Sequence, residues 1–161
     1  MTEKIKPIPD GYHAINIHIA LKDAAKAITF YKEAFGAEEK IRFNMPDGRI
    51  MFAELRIGDS TLQLSNEVPE HEFGLASPLS LKGTNCIIHL YVKDADVVFE
   101  SAIKAGAKVK RQIDNMFWGD RYGQLEDPFG YLWSISTRIE EVTPQQLKDR
   151  LSQLFAEANQ K

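Results

Sequence analysis

Apolar and polar residues alternate strictly over residues 13–21, with Ile15, Ile17, Ile19 and Leu21 on one side and Ala14, Asn16, His18 and Ala20 on the other. A period of two predicts a half-buried strand. The period then changes, because Ala24, Ala27, Ile28, Tyr31 and Phe35 recur at helical spacing. Asp23 stands where a cap accepts the first-turn N–H groups, and Gly36 where a helix ends. Met45-Pro46-Asp47-Gly48 marks a turn, and Gly58-Asp59 a tight hairpin between strands of roughly 50–57 and 60–65. This first stretch reads β-α-β-β-β.

The order then repeats. Asn16-Ile-His-Ile-Ala-Leu-Lys-Asp23 returns as Ile87-Ile-His-Leu-Tyr-Val-Lys-Asp94, and His18 to His89 and Asp23 to Asp94 are both 71 positions apart. A period this long with two copies is a duplicated supersecondary unit, since solenoid periods are about 20 to 50 residues in three or more copies. The second copy predicts a strand at about 85–92 and a helix at about 94–105 ending near Gly106. A strand pair flanks the turn Asp127-Pro128-Phe129-Gly130, its last member at about 131–137.

Residues 66–83, rich in Pro, Glu, Ser and Gly without a steady period, predict a long linker. After the second copy, Thr143-Pro144-Gln145-Gln146 forms a capping box with proline at the first helical position, and Leu147, Leu151, Leu154 and Phe155 follow on one stripe. That stripe leaves water only by docking on its own domain or on a second subunit. Glu140-Glu141 and the tail's Lys and Arg read as a solvated helix face.

At 161 residues and 43% apolar content the chain is one domain with material for a sizeable core. A net charge of −3 with no basic run excludes an electrostatic footprint for nucleic acid. No apolar stretch reaches the roughly 18 residues of a membrane span and the N-terminus lacks a signal-like apolar region, so a cytoplasmic protein is expected. The single cysteine, Cys86, is expected to be a small buried hydrophobe. Walker, Rossmann, Gly-x-Ser-x-Gly and zinc-type Cys/His patterns are absent from the sequence.

Three motifs carry a family resemblance: Lys22-Asp23-Ala-Ala-Lys-Ala-Ile-Thr-Phe30-Tyr31-Lys-Glu-Ala-Phe-Gly36-Ala, then Met45-Pro-Asp-Gly48-Arg49-Ile, then Trp118-Gly-Asp-Arg-Tyr122-Gly leading to Asp127-Pro-Phe-Gly130-Tyr-Leu-Trp133-Ser134. Over about residues 11–137 the chain resembles the vicinal oxygen chelate superfamily of glyoxalases, bleomycin and fosfomycin resistance proteins and extradiol dioxygenases, in its PhnB-like branch. The resemblance implies an α+β fold of two tandem β-α-β-β-β modules, about 11–66 and 84–137, joined by a linker of about 67–83. Their curved sheets form a cup of mixed strands with helices outside and the site inside, and a C-terminal helix of about 143–159 is added. One scaffold hosts many chemistries, so the fold does not choose among them.

Strand parity then selects the residues that would face such a cup. Ile15, Ile17, Ile19, Leu62, Leu64, Ile88, Leu90, Trp133 and Ile135 belong to the helix side, as do Ala53, Leu55 and Ile57. The other side carries Asn16, His18, Phe52, Glu54, Arg56, Gln63, His89, Tyr91, Tyr122, Gln124 and Ser134, the candidate ligand-binding residues, with Trp118 at the rim. His18, His89 and Glu126 are the candidates for acid–base chemistry. His13 and His71 are expected to face solvent.

Metal-dependent members of the superfamily hold a divalent ion through one inward residue on the first and last strand of each module. Carried over, these positions are Asn16, Gln63, Ile87 and Ser134. Ile87 cannot coordinate, Ser134 replaces a carboxylate, and two amide oxygens alone are weak transition-metal ligands. No metal or other cofactor is therefore expected. The expected function is binding of an unidentified small organic molecule in a concave cavity by a homodimer. The alternatives are a lyase, isomerase or dioxygenase type of enzyme, with a non-standard metal site or metal-free acid–base chemistry, and an interaction module with a vestigial cavity.

Overall fold

The computed structural model describes residues 5–70 and 74–158, and the repeat becomes two copies of one unit. The first is strand β1 (Ile17–Leu21), helix α1 (Ala24–Phe35), β2 (Glu38–Asn44), β3 (Ile50–Ile57) and β4 (Ser60–Asn66). A short helix, α2 (Pro78–Leu81), interrupts the linker. The second is β5 (Ile87–Tyr91), α3 (Ala95–Ala105), β6 (Lys108–Asn115), β7 (Asp120–Glu126) and β8 (Leu132–Arg138), and α4 (Pro144–Ala158) follows. The sheets run β1-β4-β3-β2 and β5-β8-β7-β6. In each, the first strand is parallel to the last and the remaining pairs are antiparallel. This is the expected α+β arrangement of tandem modules.

The two repeated aspartates act as helix caps: Asp23 Oδ1 accepts from Lys26 N and Asp94 Oδ1 from Val97 N, both at 3.1 Å. Gly36 and Gly106 end the helices at φ +66° and +116°, where a Cβ would be strained. The apolar stripe of α1 and the helix-side positions of both sheets bury one continuous core that includes Tyr31, Leu55, Leu64, Leu125, Trp133 and Ile135. Helices α1 and α3 lie against each other over it. At Gly123 a Cβ would stand 2.5 Å from a ring carbon of Phe99, so glycine is what lets α3 sit this close to β7.

The modules are stitched together by polar groups as well. Asp127 Oδ2 accepts from Tyr31 Oη of α1 at 2.8 Å and from Trp133 Nε1 at 2.9 Å, while Oδ1 accepts from the backbone N–H of Phe129 and Tyr131, both at 2.9 Å. Tyr131 Oη accepts from Ala20 N at 3.1 Å and donates to Ala20 O at 2.9 Å, clipping the free edge of β1 to the second module.

Three expectations are corrected. The strand expected from residue 13 begins at Ile17, because the Asn16 amide folds back on His13, accepting from its N–H at 3.3 Å and donating to its carbonyl at 2.6 Å. Ile15 and Ile17 therefore escape the helix layer and are 86% and 44% exposed. Cys86 is exposed rather than buried, since β5 starts one residue after it. Glu140 is exposed as expected but lies outside the helix: it precedes α4 and takes a two-pronged ion pair from Arg150, at 2.6 and 2.9 Å. Of the two docking places the sequence left open for the α4 stripe, its own domain does not cover it, for Leu147, Leu151, Leu154 and Phe155 are 36%, 38%, 45% and 63% exposed.

The capping box at the start of α4 forms as its spacing predicts, with Thr143 N donating to Gln146 Oε1 at 2.9 Å and Gln146 N to Thr143 Oγ1 at 3.3 Å. Arg150 also donates to Phe117 O at 3.0 Å, which ties the helix to the loop carrying Trp118. No helix among the described residues is long and apolar enough to cross a membrane. His71 and the end of the expected tail helix at residue 159 lie outside the described residues.

Candidate functional site

Each sheet has one face on the helices and one turned away from them, and parity assigned the candidate residues to the second. On the first module His18 pairs with Gln63, Gln63 with Glu54, and Arg56 with Thr61 across the strands. His18 Nε2 lies 3.1 Å from Ser65 Oγ, with its ring 6.0 Å from that of Phe52. Glu54 and Arg56 do not pair with each other. Residues 11 and 12 strap across them: Tyr12 Oη donates to Glu54 Oε1, while Arg56 Nη1 and Thr61 Oγ1 donate to Gly11 O at 2.7 and 3.0 Å.

The second module carries a denser set of groups. His89 Nδ1 lies 2.6 Å from Ser134 Oγ, and its ring stands edge-on to Tyr91 at 4.6 Å and near-parallel to Tyr122 at 6.2 Å. Tyr91 Oη and Trp118 Nε1 both donate to Asp120 Oδ2, at 2.8 and 3.2 Å. The indole of Trp118 meets Tyr122 nearly at a right angle, 5.3 Å between centroids, and Gln124 Nε2 donates to Tyr122 Oη at 2.6 Å. Ser134, Ser136 and Asp120 are buried beneath these rings. Glu126 is held by Lys110 Nζ at 3.0 Å.

Burial lowers the pKa of both imidazoles from 6.5, and for His89 the carboxylate of Asp120 opposes part of that shift. Both are therefore neutral at pH 7, each offering one donor and one acceptor. Hydrogen bonding to Asp120 raises the Tyr91 phenol, so it remains a donor.

The two histidines do not share a cavity. Asn16 and His89 line one of about 190 Å³ between the lead-in to β1 and strand β5, with Ile57, Leu90 and Trp133 among its walls. His18 lines another of about 520 Å³ against the linker and Tyr131. Neither includes Gln63, Ser134 or Trp118. Asn16 itself is spent on the turn at His13.

Sequence reasoning missed Asp120 as a site residue, although stepping back two from Tyr122 along the same strand reaches it. It also missed Ile41 and Phe43, which pair with Glu54 and Phe52 and share their face. Their alternation with Lys40, Arg42 and Asn44 is visible in the sequence. Nothing local marks Tyr12, whose partner is 42 residues away.

Known proteins fit this arrangement. The sequence profile of the Glyoxalase/Bleomycin resistance protein/Dioxygenase superfamily matches residues 13–135. An uncharacterised protein of Mycobacterium tuberculosis is 41% identical over 140 residues, 86% of this chain and 82% of that protein. Among solved structures, TioX from Micromonospora sp. ML1 superimposes with a TM-score of 0.62 at 20% identity, over 79% of this chain and 99% of that one. The PhnB protein from Bacillus cereus does so with a TM-score of 0.60 at 14% identity, over 78% and 99%. Two β-α-β-β-β modules in tandem, with the profile spanning both, place the chain in the glyoxalase/bleomycin resistance protein/dioxygenase superfamily.

Proposed function

We propose that this protein binds a small organic molecule on the concave side of its second module, without the divalent metal of metal-dependent relatives. The observation that carries this reading is the wall of rings, Tyr91, Trp118, Tyr122 and His89, built over buried polar groups and held by hydrogen bonds rather than by chance packing. Aromatic rings with a few fixed polar groups are the usual composition of a ligand site. No hydrogen bond joins Glu126 to either imidazole, so the geometry favours binding over acid–base catalysis.

The donor chemistry does not fit the family's metal. Of the four inherited positions, the Asn16 amide is engaged by its own turn, Ser134 is engaged by His89, and Ile87 has no donor atom. Among the described residues no three His, Cys, Asp or Glu side chains gather closely enough to hold an ion. Elemental analysis of the purified protein should find no stoichiometric Zn, Ni, Fe or Mn, and chelators should leave ligand binding unchanged. One equivalent held by His18 or His89 would overturn this.

The direct test is a fragment screen read by NMR. Hits should shift the indole N–H of Trp118, and His89→Ala should weaken them about ten-fold, the worth of roughly one good hydrogen bond, with a modest fall in melting temperature because the buried Ser134 hydroxyl loses its partner. Hits that map only to the seam between β1 and β5 would refute the reading.

A homodimer belongs to the same proposal. Four large apolar residues on α4 remain partly exposed, and burying the remainder of each would gain about 0.5 to 2 kcal/mol. A second copy of the chain is the occupant proposed for that stripe. Light scattering should give twice the chain mass at micromolar concentration, and Leu151→Asp should halve it. A monomeric parent protein would end the idea.

A further inference from the structure

Asp120 is the one carboxylate enclosed by the ring wall, and its two oxygens are treated differently. Oδ2 is saturated by Tyr91 and Trp118. Oδ1 is buried without a hydrogen bond, and so is the hydroxyl of Ser136. Register places the two on the same face: Tyr122 and Tyr91 both pair with Ser136, and Asp120 lies two residues from Tyr122 on β7. Buried polar atoms of folded proteins are normally partnered, and an exception calls for a specific reason.

The nearest cation explains only part of it. Arg138 Nε approaches Oδ1 to 3.6 Å, an ion-pair distance too long for a hydrogen bond. Its side chain is 56% exposed and is shared with Glu141, also at 3.6 Å. The guanidinium also hydrogen-bonds to Tyr91, so it is an exposed cover shared among Asp120, Tyr91 and Glu141, over a carboxylate that is itself rigidly placed. Around the carboxylate the rings are fixed. Two of them are pinned by their own polar atoms to Oδ2, and Trp118 and Tyr122 meet at 79°. A cation at Oδ1 would be drawn by the carboxylate charge, and also by the face of any of these rings whose centroid lies within about 6 Å of it. Neutral His89 adds a further ring without adding a repelling charge.

We propose that this face recognises an organic cation, a protonated or methylated amine whose nitrogen displaces Arg138 from Oδ1 and sits among Tyr91, Trp118 and Tyr122. This rests on the reading that the second module's concave side is the ligand face, and it names the ligand's chemistry. Ser136 is then the nearby group left to accept or donate to the same ligand.

Three probes of nearly equal size test it on the full chain: phenethylamine, 2-phenylethanol and phenylacetate, followed by the Trp118 indole resonance. The amine should bind at least ten-fold more tightly than the alcohol or the acid. Asp120→Asn should erase that preference, and Arg138→Gln, on an exposed side chain, should strengthen the amine several-fold because a competing cation is gone. An anion-binding site would show the opposite sign for Arg138→Gln, which keeps the test decisive even if Asp120→Asn fails to fold. Equal binding of amine and alcohol at Trp118 would overturn the cation proposal and leave the small-molecule reading standing. No response at Trp118 to any of the three would count against both.

Discussion

Replacing Asp127 by alanine should destabilise the protein by about 3 to 5 kcal/mol, seen as a lowered denaturant midpoint at unchanged slope. The size follows from what the carboxylate serves. It sits 3% exposed and satisfies four donors at once: the phenol of Tyr31, the indole of Trp133 and the N–H groups of Phe129 and Tyr131. Tyr31 is a permanent donor, since burial pushes its phenol well above 10. Alanine would leave all four donors facing no acceptor in the core, and buried unpaired groups cost their full desolvation. The lesion also spans the module boundary, because Tyr31 belongs to α1 and the other three donors to the β7–β8 turn and β8.

Asp127→Asn separates the parts of this effect. Its remaining oxygen can still serve Phe129 and Tyr131, and Tyr31 can turn its hydroxyl to accept. Trp133 Nε1 can only donate, so it faces an amide N–H in place of Oδ2. A cost of about 1 to 2 kcal/mol is expected, well below that of alanine. Equal losses for the two variants would show that the turn, and not the network, is what Asp127 supports.

The periodicities made most of the fold legible. The α1 helix lies within the expected residues, both caps are the aspartates the repeat singled out, and Ala53, Leu55, Leu62, Leu64 and Trp133 are buried on the helix side as parity requires. The late start of β1 has a local cause: a side chain that satisfies backbone groups nearby competes with the ladder, and periodicity does not register it. Asn16 does this at the start of β1. The docking of α4 was beyond reach for another reason, since a stripe states that a face needs cover without stating whose. The site was partly legible. Parity placed His89, Tyr91, Tyr122 and Ser134 on one strand face, but Asp120, which Tyr91 and Trp118 share, begins its strand, where boundaries are read least well.

That distinction gives the second large effect. Ile17 and Ile88 hold nearly equivalent places in the two repeats, and alternation alone assigns both to the core. The structure separates them, with Ile88 8% exposed and Ile17 44%. Ile88→Ala should cost about 2 to 5 kcal/mol, because it empties a packed site whose neighbours only partly relax. Ile17→Ala should cost well under that, near the few tenths to one kcal/mol of an exposed change. The reason is the turn at Asn16, which leaves Ile17 as the first residue of an edge strand, so the side chain has only a partial floor beneath it. Asn16→Ala probes the cause: with the amide gone, residues 13–16 lose the bonds that hold them off the strand path. If Ile17→Ala proves as costly as Ile88→Ala in the isolated monomer, Ile17 is packed in solution, and β1 extends toward residue 13 as the bare alternation predicts. If the cost of Ile17→Ala grows with protein concentration while that of Ile88→Ala does not, a second subunit is what covers it.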